Sequence, residues 1–160
     1  MREEVVDKVR AAGVVGAGGA GFPTHIKLQF DVQRVLANGA SCEPLLASDP
    51  YLMEHQTDLV LDGLLTVMDC TGSEKGTLCL KSKHANAVAA LQDKICANGY
   101  AGRINVFELE DFYPAGDEFI LVNEVLAKIV PEGGIPLNVQ AVVSNVESVS
   151  YTHLRAHETA

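Results

Sequence analysis

Between Gly13 and Lys27 the chain reads GVVGAGGAGFPTHIK, with Gly16, Gly18, Gly19 and Gly21 crowded ahead of Phe22-Pro23-Thr24 and one lysine, Lys27. Glycine accepts positive φ without strain and, lacking a Cβ, lets backbone come close to a ligand. So dense a run makes poor helix and poor strand. Its chemistry would be a set of inward N–H groups around an anion, with Lys27 adding a positive charge. The other reading is a loop that crosses closely over a core, with Lys27 a solvated surface charge. The run is not a Walker A loop, which needs Gly-Lys followed by Ser or Thr. Nor is it a GxGxxG turn joining a strand directly to a long helix.

Two further stretches carry reactive types. Asn38-Gly39-Ala40-Ser41-Cys42-Glu43-Pro44 follows a strand end, where α/β folds place ligands, although an asparagine before glycine also reads as a turn residue. Tyr113-Pro114-Ala115-Gly116 is a turn. Tyr113 also reads as a core aromatic with a wet hydroxyl, and Asp117 and Glu118 as the first turn of a helix. Cys42, Cys70, Cys79 and Cys96 are too widely spaced for a metal or iron–sulfur site within this chain. They read as buried free thiols of a reducing compartment, and no metal site is expected.

The elements that must position these residues follow from pattern. Glu3 to Ala12 is an amphipathic helix with Val5, Val6 and Val9 on one face, stopped at Gly13. Arg34–Asn38 is a short buried strand closed by Asn38-Gly39. Ser48 or Asp49 caps a helix with Pro50 at its first position, running to about Asp69. Thr77–Leu80 is a strand, Asn86–Ala97 a helix ended by Asn98-Gly99, and Ile104–Leu109 a strand. A helix from Asp117 to about Lys128 and a loop over residues 130–136 precede a last strand, Val139–Val143, that ends at Ser144-Asn145. Strands alternating with helices predict an α/β fold, a mainly parallel sheet covered by helices.

Composition sets the bounds. The 160 residues suit one domain, and a core of that size needs no disulfide or metal staple. A net charge of -9 argues against nucleic acid as a partner and against an anionic membrane surface. No apolar run approaches the roughly 18 residues of a membrane span, so direct membrane insertion is not expected. The end of the chain is different in kind. Val149 to Thr159, VSYTHLRAHET, is the translation of a transposase-type sequencing-adapter string. Residues 149–160 are therefore expected to be read-through with no packing role, and the natural protein to continue past about Ser148. His153 and His157 stand at i, i+4, a spacing that suits a metal on a helix, but within this tail they are given no function.

With these landmarks placed, a resemblance is legible. GAGGAGFPTHIK, NGASCEP, YPAGDE, VPEGGIP and NVES occur in that order. They resemble the flavin domain of the Rnf electron-transport complex C subunit, and more closely the flavoproteins associated with proline reductase and with microcompartment cobalamin reduction. The FMN-binding, NADH-oxidising subunit of respiratory complex I is a more distant relative. The resemblance covers residues 1–148 and implies a complex I-like, FMN/NADH-binding α/β domain, C-terminally truncated. It implies that Gly16, Gly18, Gly19, Gly21 and Lys27 hold the FMN phosphate and the incoming nucleotide. Asn38 and Glu43 match the flavin and nicotinamide site, and Tyr113, Gly116, Asp117 and Glu118 the segment lining the flavin pocket. Asn145 matches the last flavin-contacting motif. Glu43 and Glu118 are the carboxylates placed for catalysis, able to accept hydrogen bonds from ribose hydroxyls or the carboxamide. This chain departs from the pattern at Ala17, where complex I has arginine, and at Ala40 and Ser41, where it has two acids.

The function so implied is an oxidoreductase module that accepts hydride from NADH on FMN. It would pass electrons to a downstream electron-transfer subunit or domain, with 4Fe-4S clusters only in the missing C-terminal part. The alternative is a nicotinamide-independent flavin-binding or docking module for a partner reductase or corrinoid enzyme, a reading that Ala17 and Ser41 keep open. The resemblance implies a cytoplasmic setting, at the cytoplasmic face of a membrane complex or in a bacterial microcompartment.

Overall fold

The structure is a computed structural model that describes residues 1–16, 22–40, 48–112 and 115–156. Helices α1 (Arg2–Ala12) and α2 (Thr24–Lys27) precede strand β1 (Arg34–Asn38). Helices α3 (Ser48–His55) and α4 (Thr57–Thr71) lead to β2 (Lys75–Lys81), α5 (Ala85–Ala97) and β3 (Ile104–Leu109). Helix α6 (Glu118–Leu126) and a 3-10 turn (Pro136–Val139) precede β4 (Ala141–Asn145), which runs directly into α7 (Val146–Ala156). The strands form one parallel sheet in the order β3-β2-β1-β4.

The strand sequences explain a parallel sheet. Val35-Leu36-Ala37, Leu78-Cys79-Leu80 and Ala141-Val142-Val143 are continuous apolar runs, as strands covered on both faces require. One face, with Val35, Ala37, Leu78, Leu80 and Val142, packs against the inner stripes of α1, α4, α5 and α7. The other, with Leu36, Cys79, Leu109 and Val143, is covered by Leu121 and Val122 of α6. Cys70 and Cys79 are buried free thiols as expected, but Cys96 faces outward from α5. Burial pushes the Cys79 thiol up to about 12, so it is inert as a nucleophile.

Strand β2 runs longer at both ends than the expected Thr77–Leu80, and three other boundaries differ from the sequence reading for a local reason. The single helix expected from Ser48 to Asp69 breaks at Gln56, whose backbone is not helical (φ -123, ψ 42). There the Thr57 hydroxyl donates back to the Met53 carbonyl at 2.6 Å and satisfies the end of α3, and α4 begins at Thr57. The last strand begins two residues later than the apolar run suggested. Pro136 opens a 3-10 turn that takes up Val139, and Gln140 turns the chain in the left-handed region (φ 61). Helix α6 stops at Leu126, with Ala127 left-handed at φ 54.

The tail needs the largest correction. Residues 149–156, expected to have no packing role, form most of α7. Asn145 Oδ1 accepts the Glu147 N–H at 2.8 Å and so caps the helix. Val146, Val149 and Ala156 bury a stripe against the core, and the hydroxyls of Ser150 and Thr152 are satisfied by carbonyls one turn back. The helix is admitted by Gly63 of α4, where a Cβ would lie 2.3 Å from the Val149 carbonyl oxygen. A Gly63→Ala substitution should therefore force the two helices apart and cost about 1–3 kcal/mol, read as a lower urea midpoint with unchanged slope. Deleting residues 149–160 should also lower the melting temperature clearly.

Candidate functional site at the switch point of the sheet

The chain leaves β1 toward β2 and later returns past it from β3 to β4, so the C-terminal ends of β1 and β4 form the topological switch point. Open α/β sheets bind ligands at such a crevice. Both strands end there on asparagine, Asn38 and Asn145, paired in register. Asn38 Nδ2 donates to the Gly116 carbonyl at 2.8 Å while its Oδ1 accepts from Ala40 N–H at 3.0 Å. Asn145 Nδ2 donates to Asp49 Oδ2 at 3.2 Å while its Oδ1 caps α7. Each amide thus uses a donor and its acceptor to hold a different segment, which is the two-sided capacity of that group. Gly39 follows because Met53 fills the space a Cβ would need, at 2.6 Å.

The glycine loop enters beside β4. Gly16 N–H donates to the Phe22 carbonyl at 2.9 Å, and Thr24 N–H to the Val14 carbonyl at 3.0 Å, so the loop's ends are closed into a neck. The Ser148 hydroxyl, in the first turn of α7, donates to the Val15 carbonyl at 3.0 Å and ties that neck to the site. Gly18, Gly19 and Gly21 lie outside the described residues, as do Ala17, Ser41, Cys42, Glu43 and Tyr113.

Lys27 is not a solvated surface charge. From α2 it reaches inward, and its Nζ donates to the Val143 carbonyl at 2.6 Å, two residues before Asn145. Burial lowers its pKa, opposed by the negative charge of Glu118. The Phe22 ring lies 5.4 Å from the ammonium. One of the three ammonium N–H donors is spent on Val143, which leaves a desolvated cation able to serve an acceptor. That donor set fits an anionic group such as a cofactor phosphate.

On the opposite side of the mouth, Asp117 is the N-cap of α6, its Oδ1 accepting from Phe119 N–H at 3.0 Å and Ile120 N–H at 3.2 Å. Glu118 follows in the first turn. The strand end before this loop is held by Lys81 and Lys83, which grip the two oxygens of Asp111 at 3.1 and 3.0 Å. The structure therefore brings Gly16, Lys27, Asn38, Gly116, Asp117, Glu118 and Asn145 to one edge. Among the described residues no group of three or more His, Cys, Asp or Glu could hold a metal.

Sequence reasoning missed Asp49, read only as an alternative helix cap. It is 5% exposed. Burial, with the charge of Glu147, raises its pKa to about 6, and the Asn145 hydrogen bond opposes the rise. Aspartate followed by proline is an ordinary helix start, so nothing local marks it as buried.

This is a doubly wound α/β domain whose parallel sheet has its switch point between β1 and β4. The sequence profile of the Nuo51 FMN-binding domain matches residues 9–153, and the chain belongs to that family. It is 42% identical over 147 residues to cobalamin reductase PduS of Citrobacter freundii, covering 92% of this chain and 32% of that protein. It is 40% identical over 139 residues to the C subunit of the Na(+)-translocating ferredoxin:NAD(+) oxidoreductase complex of Acetobacterium woodii, covering 84% of this chain and 31% of that relative. The chain thus spans about a third of the length of these relatives. Its fold matches a chain of an air-oxidized NAD+-reducing NiFe-hydrogenase with a TM-score of 0.84 at 23% identity, over 98% of this chain and 30% of that one. No helix among the described residues is long and apolar enough to cross a membrane.

The double use of Asn38 has a direct test. Asn38→Asp replaces the donor facing the Gly116 carbonyl with an acceptor and should cost about 1–3 kcal/mol. Amide exchange at residues 115–118 should quicken, while exchange in α4 at equal global stability should not.

Proposed function

We propose that this domain binds FMN at the β1/β4 mouth and works as an electron-transfer module that takes hydride from NADH. The observation that carries the reading is Lys27, a desolvated ammonium beside the register-paired Asn38 and Asn145, in a chain of net charge -9. FMN, when bound, takes up an electron pair as hydride and releases electrons singly, chemistry that belongs to the cofactor. The chain's own residues bind and orient. Lys27 and the glycine loop between Gly16 and Gly21 hold the phosphate. Asn38 and Asn145 fix the loops that flank the ring, with Tyr113 and Gly116 lining the pocket. Glu43 and Glu118 accept hydrogen bonds from the nucleotide's ribose or carboxamide.

Asp117 serves the site through α6, since its carboxylate caps that helix. Electrons pass to iron–sulfur carriers in a downstream subunit or domain, in keeping with relatives whose names are ferredoxin:NAD(+) oxidoreductase and cobalamin reductase. The flavin domain proper is residues 1–148, and residues 149–160 are adapter read-through, of which 149–156 occupy the packing slots of α7.

The protein should quench the fluorescence of added FMN and take up FAD less well, because the site is built for one terminal phosphate. Lys27→Ala should weaken FMN binding by about 1.5–3 kcal/mol, as for a hydrogen bond to a charged group. NADH should bleach the bound flavin, ferricyanide should restore it, and Glu43→Gln should slow bleaching while FMN stays bound. Flavin that binds but does not bleach would favour the nicotinamide-independent docking module. Stoichiometric iron in the purified chain would contradict the placing of the clusters downstream.

A further inference from the structure

We propose that the layer made by α6 and the loop after it is a docking face for a cationic protein partner, one that presents lysine and arginine side chains around an apolar centre. Only the partner's being an electron carrier rests on the flavin reading above.

The sheet is covered unequally. Helices α1, α4, α5 and α7 lie on one face, while on the other Leu121 and Val122 of α6 meet the core. Parallel sheets are ordinarily buried on both faces, and here the thin layer leaves large apolar groups outside. Ile129 is 82% exposed, and Ile135, Phe119 and Phe112 are 46%, 45% and 38% exposed. Phe112 and Phe119 flank the turn into α6. The Ala115 N–H donates to the Phe112 carbonyl at 3.0 Å, and the Phe119 N–H donates to the capping Asp117 at 3.0 Å. Ile129 and Ile135 bracket the turn after α6, which the Gly134 N–H closes on the Pro131 carbonyl at 2.8 Å. The two pairs stand at opposite ends of a nine-residue helix. Such a helix is about 13 Å long, which gives the patch the scale of one ordinary protein interface.

Charge says what kind of partner fits. Residues 104–139, from β3 through α6 to the 3-10 turn, carry seven carboxylates and a single lysine, Lys128. Among the described residues only one of the seven, Asp111, is in an ion pair, with Lys81 and Lys83. The helices of the other face pair several of their acids with bases, as in Lys8 with Glu4 and Lys94 with Asp58. Glu124 on α6 and Glu132 in the following turn are exposed. Exposed apolar groups in one patch mark an interaction surface. A rim of unpaired carboxylates favours lysine or arginine opposite and repels acidic proteins. The same rim disfavours a second copy of this chain, whose net charge is -9. Asp117 and Glu118, at the start of α6, put one end of the patch at the mouth of the candidate site, so a carrier docked here lies beside it.

The test uses oxidised mitochondrial cytochrome c, a basic electron carrier, as the partner. Isotopically labelled protein is titrated with it by NMR at about 20 mM salt, where surface charges act at long range. Amide shifts are expected on residues 107–112, 117–126 and 128–135. Affinity by calorimetry should fall about tenfold in the double variant Glu124→Lys with Glu132→Lys, and about fivefold in Phe119→Ser and in Ile129→Ser. The same charge change at Glu74 and Asp93, exposed outside the α6 layer, should weaken binding much less. All six positions are on the surface, so unchanged urea midpoints are expected throughout.

Equal losses from the two double charge variants, shifts centred on α1, α4 or α5, or no binding at low salt would overturn the proposal. Self-association of the chain that Ile129→Ser abolishes would assign the face to a second copy and overturn it too. Docking at α6 without transfer of an electron to the ferric haem, from FMN-loaded protein treated with NADH, would leave the docking face standing and count against the flavin reading.

Discussion

The pairing of β1 with β4, which brings Asn38 and Asn145 into register at the strand ends, is the contact on which the rest of the site depends. A parallel sheet leaves its C-terminal edge as a row of loops whose backbone groups must find partners. Here two side-chain amides do much of that work. One reaches Gly116, in the turn that precedes α6; the other reaches α3 through Asp49 and starts α7 through Glu147. α7 in turn holds the neck of the glycine loop through Ser148. The turn at Gly116, α3 and the glycine-loop neck are thus tied to the ends of β1 and β4 through Asn38, Asn145 and Ser148, and a shift of β4 by one position would turn Asn145 to the other face and release α3.

Charge is arranged on the same frame. Several basic side chains form exposed ion pairs, such as Lys8 with Glu4, Lys94 with Asp58 and Arg103 with Asp69, which contribute little stability in water. Lys27 differs in kind because it is desolvated and faces a carbonyl, with Glu118 the carboxylate whose charge acts on it. Burying a cation without a close ion pair costs stability, and the cost is understandable if an anionic ligand completes the site. Asp49, bonded to Asn145, is the mirror case, a buried carboxyl on which no cation among the described residues acts.

Much of this was legible in the chain. The four strands announce themselves as short apolar runs closed by turn residues, and their alternation with helices gives the parallel sheet. Asn38 and Asn145 can be read as strand ends, and Asp117 as a helix cap. What could not be read is tertiary. Nothing near Lys27 says that it bonds a carbonyl on β4, 116 residues away. Asp49 looks like a helix start because local pattern does not carry burial. The break at Gln56 depends on which carbonyl the Thr57 hydroxyl finds, and the start of β4 on Gln140 taking a left-handed turn. The tail shows the converse limit. Its coding match gave a reason to set it aside, yet Val149 and Ala156 fill a stripe beside Gly63 that asks only for small apolar groups in helical spacing.

The central claim is that the cofactor sits at the β1/β4 mouth, held by Lys27 and by the loops that these two amides fix. Its most direct test is an amide and side-chain-amide NMR titration of the isotopically labelled protein with FMN. The expected shifts concentrate on residues 14–28, 38–40, 115–118 and 143–148, including both Nδ2 groups of Asn38 and Asn145. Shifts gathered instead around Lys75, Gly102 and Arg103, at the opposite edge of the sheet, would contradict it.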